Sequence, residues 1–293
     1  MDYQACTLCP RACGVNRSAG QLGFCRMGAQ MKIARAAAHY WEEPVISGSF
    51  GSGAVFFSGC TLGCIYCQND EISHKNHGKS ITSAQLREIF EQLIDDGVQN
   101  INLVTPTHFL PTIIPALFPK LPVPVVYNCG GYESVETLKQ LEGLVDIYLP
   151  DLKYSDNRLA ARLSKAPDYF EVAAAAILEM YQQTGPVRVE DEEMKRGVLL
   201  RHLILPGQID NSLGVLDWVA DHFKPGEILF SLMSQYTPME AVEKTPDLNR
   251  PVSELEYDAV LSYLSLLGIE DGYTQDFQAA SQSFIPQWDL SDD

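Results

Sequence analysis

From about residue 50 the chain alternates short, nearly continuous apolar runs with longer amphipathic stretches. This rhythm predicts repeated strand–helix units around a mainly parallel sheet. Six strands are expected, at residues 53–59 (GAVFFSG), 100–106 (NINLVTP), 123–129 (VPVVYNC), 145–153 (VDIYLPDLK), 197–206 (GVLLRHLILP) and 227–236 (EILFSLMSQY). Their unbroken apolar character suits strands covered on both faces. Between them, TSAQLREIFEQLIDDG carries Thr82 with Gln85 three residues on, apolar positions at helical spacing, and Gly97 as a stop, which together read as a helix with a capping box. Further helices are expected from Asp168 to Gln183, before Gly185, and over SELEYDAVLSYLSLLG, ending at Gly268.

Polar residues stand at or near the end of every predicted strand: Cys60, then Thr105 and Thr107, Asn128, Asp151 with Lys153, Arg201 with His202, and Gln235 with Tyr236. In barrels and open α/β sheets the carboxyl ends of the strands build the site, because the following loops converge there on a rigid frame. Six such units predict an α/β fold, a partial (β/α)6 TIM-like barrel with a wide mouth. The expected division is a Cys-rich metal-binding module at residues 1–45, the barrel core at 46–270 and a C-terminal tail at 271–293. The final stretch, AASQSFIPQWDLSDD, is polar and weakly periodic, with Phe284 and Trp288 as its only bulky anchors to packing.

Composition narrows the function classes. A chain of 293 residues with 46% hydrophobic residues can bury a real core. Its formal net charge of −17 argues against a dominant phosphate-backbone contact, since nucleic-acid binders usually need a basic face. The basic stretch MKRGVLLRH reads instead as a contact to a substrate or cofactor. No apolar run reaches membrane-spanning length, and MDYQACTLCPRACG lacks the apolar segment of a secretion signal, so no membrane role and a cytoplasmic location are expected.

Eight cysteines in a reducing compartment favour metal binding or catalysis over disulfides. They divide into Cys6, Cys9, Cys13 and Cys25; Cys60, Cys64 and Cys67; and Cys129 alone. The first four can close a tetrahedral zinc site or hold an iron–sulfur cluster, and either would let a segment too small for its own core fold. The second set follows the first predicted strand as C-x3-C-x2-C, with Gly59 and Gly63 suited to a tight loop. Three thiolates can bind three irons of a [4Fe–4S] cube and leave the fourth open. Zinc held by these three with His74 or His77 is the alternative that spacing leaves open.

The stretch GCTLGCIYCQN resembles the cluster loop of radical S-adenosylmethionine (SAM) enzymes, including the aromatic residue before the last cysteine. In order along the chain, VYNCGGYE, VDIYLPDLKYSD, LLRHLILPG and SQYTP are similar to segments of pyruvate formate-lyase activating enzyme and its uncharacterised relatives, so the resemblance covers about residues 50–240. It implies that Cys60, Cys64 and Cys67 hold the cluster and that the amino and carboxylate groups of SAM chelate the open iron. It further implies Tyr66 near the adenine, Asn128, Asp151 and Lys153 at the ribose and methionine portions, and Arg201 paired with the SAM carboxylate. Two departures stand out. Where the family often has Gly-Gly-Glu to receive the SAM amino group, this chain has VTPTH, which leaves Thr105 and Thr107; near the sixth strand, Gln235 and Tyr236 replace a histidine.

The implied chemistry is reductive cleavage of SAM to a 5′-deoxyadenosyl radical that abstracts hydrogen. An electron donor such as a flavodoxin or ferredoxin, and a glycyl radical enzyme as partner, follow from the same resemblance. Radical modification of a small molecule or another macromolecule is the competing outcome. His108, His202 and Cys129 could touch substrate, although a satisfied buried histidine or an inert core cysteine is the commoner reading of each. A zinc-bound, non-catalytic scaffold protein is the reading from a different class.

Overall fold

The structure, a computed structural model, describes residues 2–275 and residue 277. Its strands are β1 (Lys32–His39), β2 (Ser52–Phe57), β3 (Lys79–Ser80), β4 (Ile101–Val104), β5 (Val125–Cys129), β6 (Ile147–Pro150), β7 (Arg188–Glu190), β8 (Glu193–Leu203), β9 (Leu229–Met233) and β10 (Gly272–Thr274). Its helices are α1 (Pro44–Ser47), α2 (Asp70–Ser73), α3 (Ser83–Asp95), α4 (Leu110–Ala116), α5 (Val135–Leu138), α6 (Asn157–Ser164), α7 (Tyr169–Thr184), α8 (Ile209–His222) and α9 (Glu254–Leu266).

The sheet runs β10-β9-β8-β6-β5-β4-β2-β1-β3. The six strands from β2 to β9 along this path are parallel, which makes the partial (β/α)6 barrel that the apolar rhythm predicts. At one edge β1 pairs antiparallel with β2, and at the other β10 pairs parallel with β9. Phe284 and Trp288 lie outside the described residues.

Local signals are where they should be. Thr82 caps α3, with the Thr82 side chain and Gln85 closing a reciprocal capping box, and Ser253 with Glu256 does the same for α9. Because strand side chains alternate between faces, each barrel strand has two fates. Val55, Leu103, Tyr127, Tyr148, Leu200 and Phe230 point outward into the large core shared with the helices. Val126, Ile147, Leu149 and Leu199 point inward, where Val45 and Ile46 of α1 join them.

That second cluster shows how the barrel is plugged. β1 runs back along β2 until His39 lies opposite Ser52, at the amino end of the parallel strands. The chain then crosses beneath the barrel through Glu42, Glu43 and α1, held there because the Ile46 carbonyl accepts from Gln99 Nε2 at 2.8 Å and Asn100 Nδ2 at 2.7 Å. The barrel therefore has a closed floor and a mouth at the carboxyl ends. No helix among the described residues is long and apolar enough to cross a membrane.

Candidate functional site

A cavity of about 450 Å³ occupies the barrel and opens at its mouth. Cys60, Cys64 and Cys67 line it together with Tyr66, Thr105, Asn128, Asp151, Lys153, Arg201 and Gln235. Of the residues expected at the cofactor, Thr107 alone is elsewhere: it is buried, and its hydroxyl donates to Glu133 Oε1 at 2.8 Å. Thr105 sits at the cavity wall with φ of +59°, a left-handed conformation that is strained for a β-branched residue.

The three-cysteine loop is fixed by close packing. Gly59 has φ of +86°, and a Cβ there would lie 2.6 Å from Met27 Cγ and 2.8 Å from the Cys25 carbonyl, so no side chain fits. The Leu62 amide donates to Cys60 Sγ at 3.4 Å, Ser164 Oγ donates to Cys64 Sγ at 2.9 Å, and Cys67 Sγ lies 3.7 Å from Ser73 Oγ. Burial pushes all three thiols up, Cys67 to about 11, and for Cys60 and Cys67 the neighbouring sulfurs add to it; Lys153 pulls each of the three down. Desolvated thiols gathered on one wall, with a cation close by and donors to sulfur, are a donor set that suits a metal able to displace their protons. His74 is held by Asp70 at 2.6 Å, His77 faces Glu71 at 3.3 Å, and neither lines the cavity. Among the described residues no three His, Cys, Asp or Glu side chains stand close enough to share one metal ion. Thiols that each bind a different iron of a cuboidal cluster need not do so.

Deeper in, the strand ends form one buried ionic network. Arg201 Nε donates to Asp151 Oδ1 at 2.9 Å, its Nη2 to Asn128 Oδ1 at 2.7 Å and its Nη1 to Glu42 Oε2 at 3.0 Å. Lys153 Nζ pairs with the other oxygen of Asp151 at 2.5 Å. Burial alone would raise the Asp151 carboxyl, but Arg201 and Lys153 outweigh it and hold the group below its usual range. The network thus stays ionised, with Arg201 and Lys153 as cations facing the cavity. Of the basic stretch MKRGVLLRH, Lys195 pairs with Glu193 and Arg196 donates to the Gln183 and Thr184 carbonyls, so only Arg201 of its cations reaches the cavity.

Sequence reasoning missed Glu42, Glu43 and Ser231, all of which line the cavity. Two adjacent acids ahead of a proline carry no spacing signal, and only the antiparallel return of β1 delivers them to the barrel. The three side chains considered as substrate contacts also take defined places. His202 is fully buried, with Nδ1 at 2.7 Å from the Leu152 carbonyl and Nε2 at 2.9 Å from Ser212 Oγ, and burial lowers it to about 4. His108 meets the Ser58 carbonyl at 2.7 Å. Cys129 borders the cavity but packs in the helix-facing core.

The first four cysteines gather beside the cluster loop. A Cβ on Gly23 would lie 3.5 Å from Cys13 Sγ and 3.6 Å from Cys25 Sγ, and the Phe24 amide donates to Cys13 Sγ at 3.3 Å. Burial pushes Cys9 up to about 12, with Cys25 and Cys13 contributing. Two arginines tie this segment to the barrel. Buried Arg17 donates to the carbonyls of Met27, Gly28 and His108 at 3.0, 2.7 and 2.6 Å. Arg11 donates to the Thr61 carbonyl at 2.9 Å and lies 3.8 Å from the Phe24 ring centroid.

A parallel partial barrel with a three-thiol loop after its first strand defines a class of SAM-dependent radical enzymes. The chain belongs to the radical SAM superfamily, whose family pattern matches residues 54–219, more than half of its length. Membership makes it an enzyme and implies a [4Fe–4S] cluster and SAM. An uncharacterized protein of Methanocaldococcus jannaschii is 29% identical over 270 residues, covering 88% of this chain and 74% of that protein. Among solved structures, Streptococcus suis SuiB bound to SAM aligns with a TM-score of 0.51 at 14% identity over 75% of this chain. A variant of spore photoproduct lyase aligns with a TM-score of 0.50 at 10% identity, covering 82% of this chain and 81% of its own. This chain spans 49% of SuiB, and at these identities the likeness is one of fold.

Proposed function

We propose that the protein reductively cleaves SAM at a cluster held by Cys60, Cys64 and Cys67 and uses the product for hydrogen abstraction. The observation that carries this reading is the joint one: three half-buried thiols, with neither His74 nor His77 beside them, open on the same cavity as the Arg201 network. What such a cluster supplies when bound is one electron to the sulfonium of SAM, and with it a 5′-deoxyadenosyl radical. The chain's own residues do the positioning. Arg201 and Lys153 offer cations to the SAM carboxylate, Asn128 and Asp151 offer polar contacts to its ribose and methionine portions, and Tyr66 offers a ring to its adenine. Thr105 and Gln235 complete the wall, while the plugged floor keeps bulk water from entering below. Cys6, Cys9, Cys13 and Cys25, in the module docked on the same loop, hold a second metal group, zinc or an iron–sulfur cluster; since no three of them stand close enough among the described residues to share one ion, the cluster is the better supported of the two.

The finer reading is that the hydrogen comes from a glycine of a partner protein, with a flavodoxin or ferredoxin as electron donor. It is supported by the four segments similar to pyruvate formate-lyase activating enzyme. Protein purified without oxygen should be brown, should contain iron and acid-labile sulfide in excess of zinc, and should form 5′-deoxyadenosine from SAM when reduced. Colourless zinc protein without cleavage would refute the proposal. Deuterium appearing in 5′-deoxyadenosine from a glycine-labelled glycyl radical enzyme would support the finer reading, and its absence with cleavage intact would move the substrate to another class.

A further inference from the structure

The charged layer at the centre of the barrel does not balance. Arg201 and Lys153 face Asp151, Glu42 and Glu43, so two cations meet three carboxyl groups, and with all three ionised one negative charge would be left over. Glu42 is fully engaged, accepting from Asn128 Nδ2 at 3.1 Å, Asn102 Nδ2 at 3.3 Å and Arg201 Nη1 at 3.0 Å. Glu43 is not. Among the described residues its Oε2 has no hydrogen-bond partner; it stands 3.9 Å from Arg201 Nη1, and the side chain is only 9% exposed and lines the cavity.

A carboxylate oxygen taken out of water and given no donor is costly, and proteins rarely leave one so placed without a use. Burial raises the Glu43 carboxyl and the Glu42 charge adds to this, while Arg201, the Glu43 backbone amide and the Ser231 hydroxyl offset only part of it, which leaves Oε2 as the oxygen still open to a donor. We infer that Glu43, beside Glu42 on the cavity floor, receives a primary ammonium group of the molecule that reacts next to SAM, because the amino group of SAM itself is taken up by the open iron. An ammonium brings one positive charge, which equals the deficit, and three hydrogen-bond donors for an oxygen that has none. A divalent ion would overshoot the balance by one charge. A guanidinium is already present in Arg201. The inference rests on reading this cavity as the SAM chamber.

The test uses n-butylammonium as probe and n-butanol as its uncharged control, titrated into the full-length protein reconstituted without oxygen and followed by thermal unfolding. The amine should raise Tm with its concentration and the alcohol should not, because a ligand that binds the native state stabilises it by mass action. Glu43→Gln should weaken the response about tenfold or more, while raising the Tm of the ligand-free protein by removing an unpaired charge. Glu43→Asp, which keeps the charge, should retain the response. If saturating SAM abolishes the amine effect and Glu43→Gln weakens SAM binding in step, the ammonium site overlaps that of SAM, which would overturn the inference. If the amine and SAM stabilise additively, it belongs to the second molecule. Equal responses to amine and alcohol, or a Glu43→Gln variant with lower ligand-free Tm and an intact amine response, would overturn the inference. Failure of wild-type protein to bind or cleave SAM would instead remove the earlier reading, since the amine titration needs neither.

Discussion

Arg201 and His202 are adjacent in β8, yet they belong to different parts of the molecule. Arg201 points into the barrel and gathers Asp151, Asn128 and Glu42 around the cavity. His202 points out toward α8, where the Leu152 carbonyl and Ser212 use both its nitrogens. Asn128 and Cys129 divide in the same way, one bonding Arg201 and the other packing under the helices. The period-two geometry of a strand thus separates chemistry from support one residue at a time. A polar or reactive residue near a strand end joins the ionic network when its parity is inward, whereas Cys129, of outward parity, only borders the cavity.

This contrast can be broken most severely at the mouth. Cys64→Ala should leave no detectable SAM cleavage in a folded protein, whereas Cys9→Ala in the docked module should keep cleavage within about tenfold; a 5′-deoxyadenosine assay compares them, and cleavage surviving in Cys64→Ala would refute the ligand assignment. Next, Arg201→Ala should weaken SAM binding at least about tenfold and destabilise the protein by about 3–5 kcal/mol, because it strands Glu42 as a buried charge without a counter-ion and leaves Asp151 with Lys153 alone. Calorimetric binding and urea unfolding would read the two effects separately.

The outward partner should answer in stability and pH rather than in binding. Because burial lowers His202 to about 4 from an ordinary 6.5, the unfolded chain takes up this proton first as pH falls. The contribution is therefore fully present above about pH 6.5 and is lost progressively down to about pH 4, to a total on the order of 3 kcal/mol. Urea unfolding of His202→Gln should show a shallower loss of stability across that window, with SAM affinity unchanged; an equal pH slope would contradict the assignment. The smallest effect is expected at Cys129→Ala, about 1 kcal/mol of lost packing with no change in SAM affinity. A clear loss of SAM binding there would show that the outward parity does not exclude a residue from the site.

The legible parts of this protein were those written locally. The capping box of α3, the helical run of α9 and the apolar runs of β2, β4, β5, β6, β8 and β9 depend on neighbours within a few positions, so pattern alone located them. The added β1 and the pairing of β10 depend on hydrogen bonds between segments well apart in the chain and left no comparable trace, and the short β7 hairpin, local though it is, carries no apolar run to mark it. In the site, Cys60, Cys64 and Cys67 were readable because three thiols within eight positions are rare and chemically directive. Thr107 was misplaced from the cavity because the turn after β4 sends its hydroxyl to Glu133.

By itself, then, the sequence determined the strand–helix alternation, the three-thiol loop and the polar strand ends, because each is set by short-range periodicity or by the chemistry of a compact motif. Only the tertiary structure decided that Glu42 and Glu43 rise through the barrel floor, that Arg201 is shared among three partners, and that His202 stands outside. Those outcomes turn on strand parity and on the antiparallel return of β1, which bring together side chains as far apart as Glu42 and Arg201. Charge balance inside the barrel is a property of that assembly, and no stretch of chain contains it.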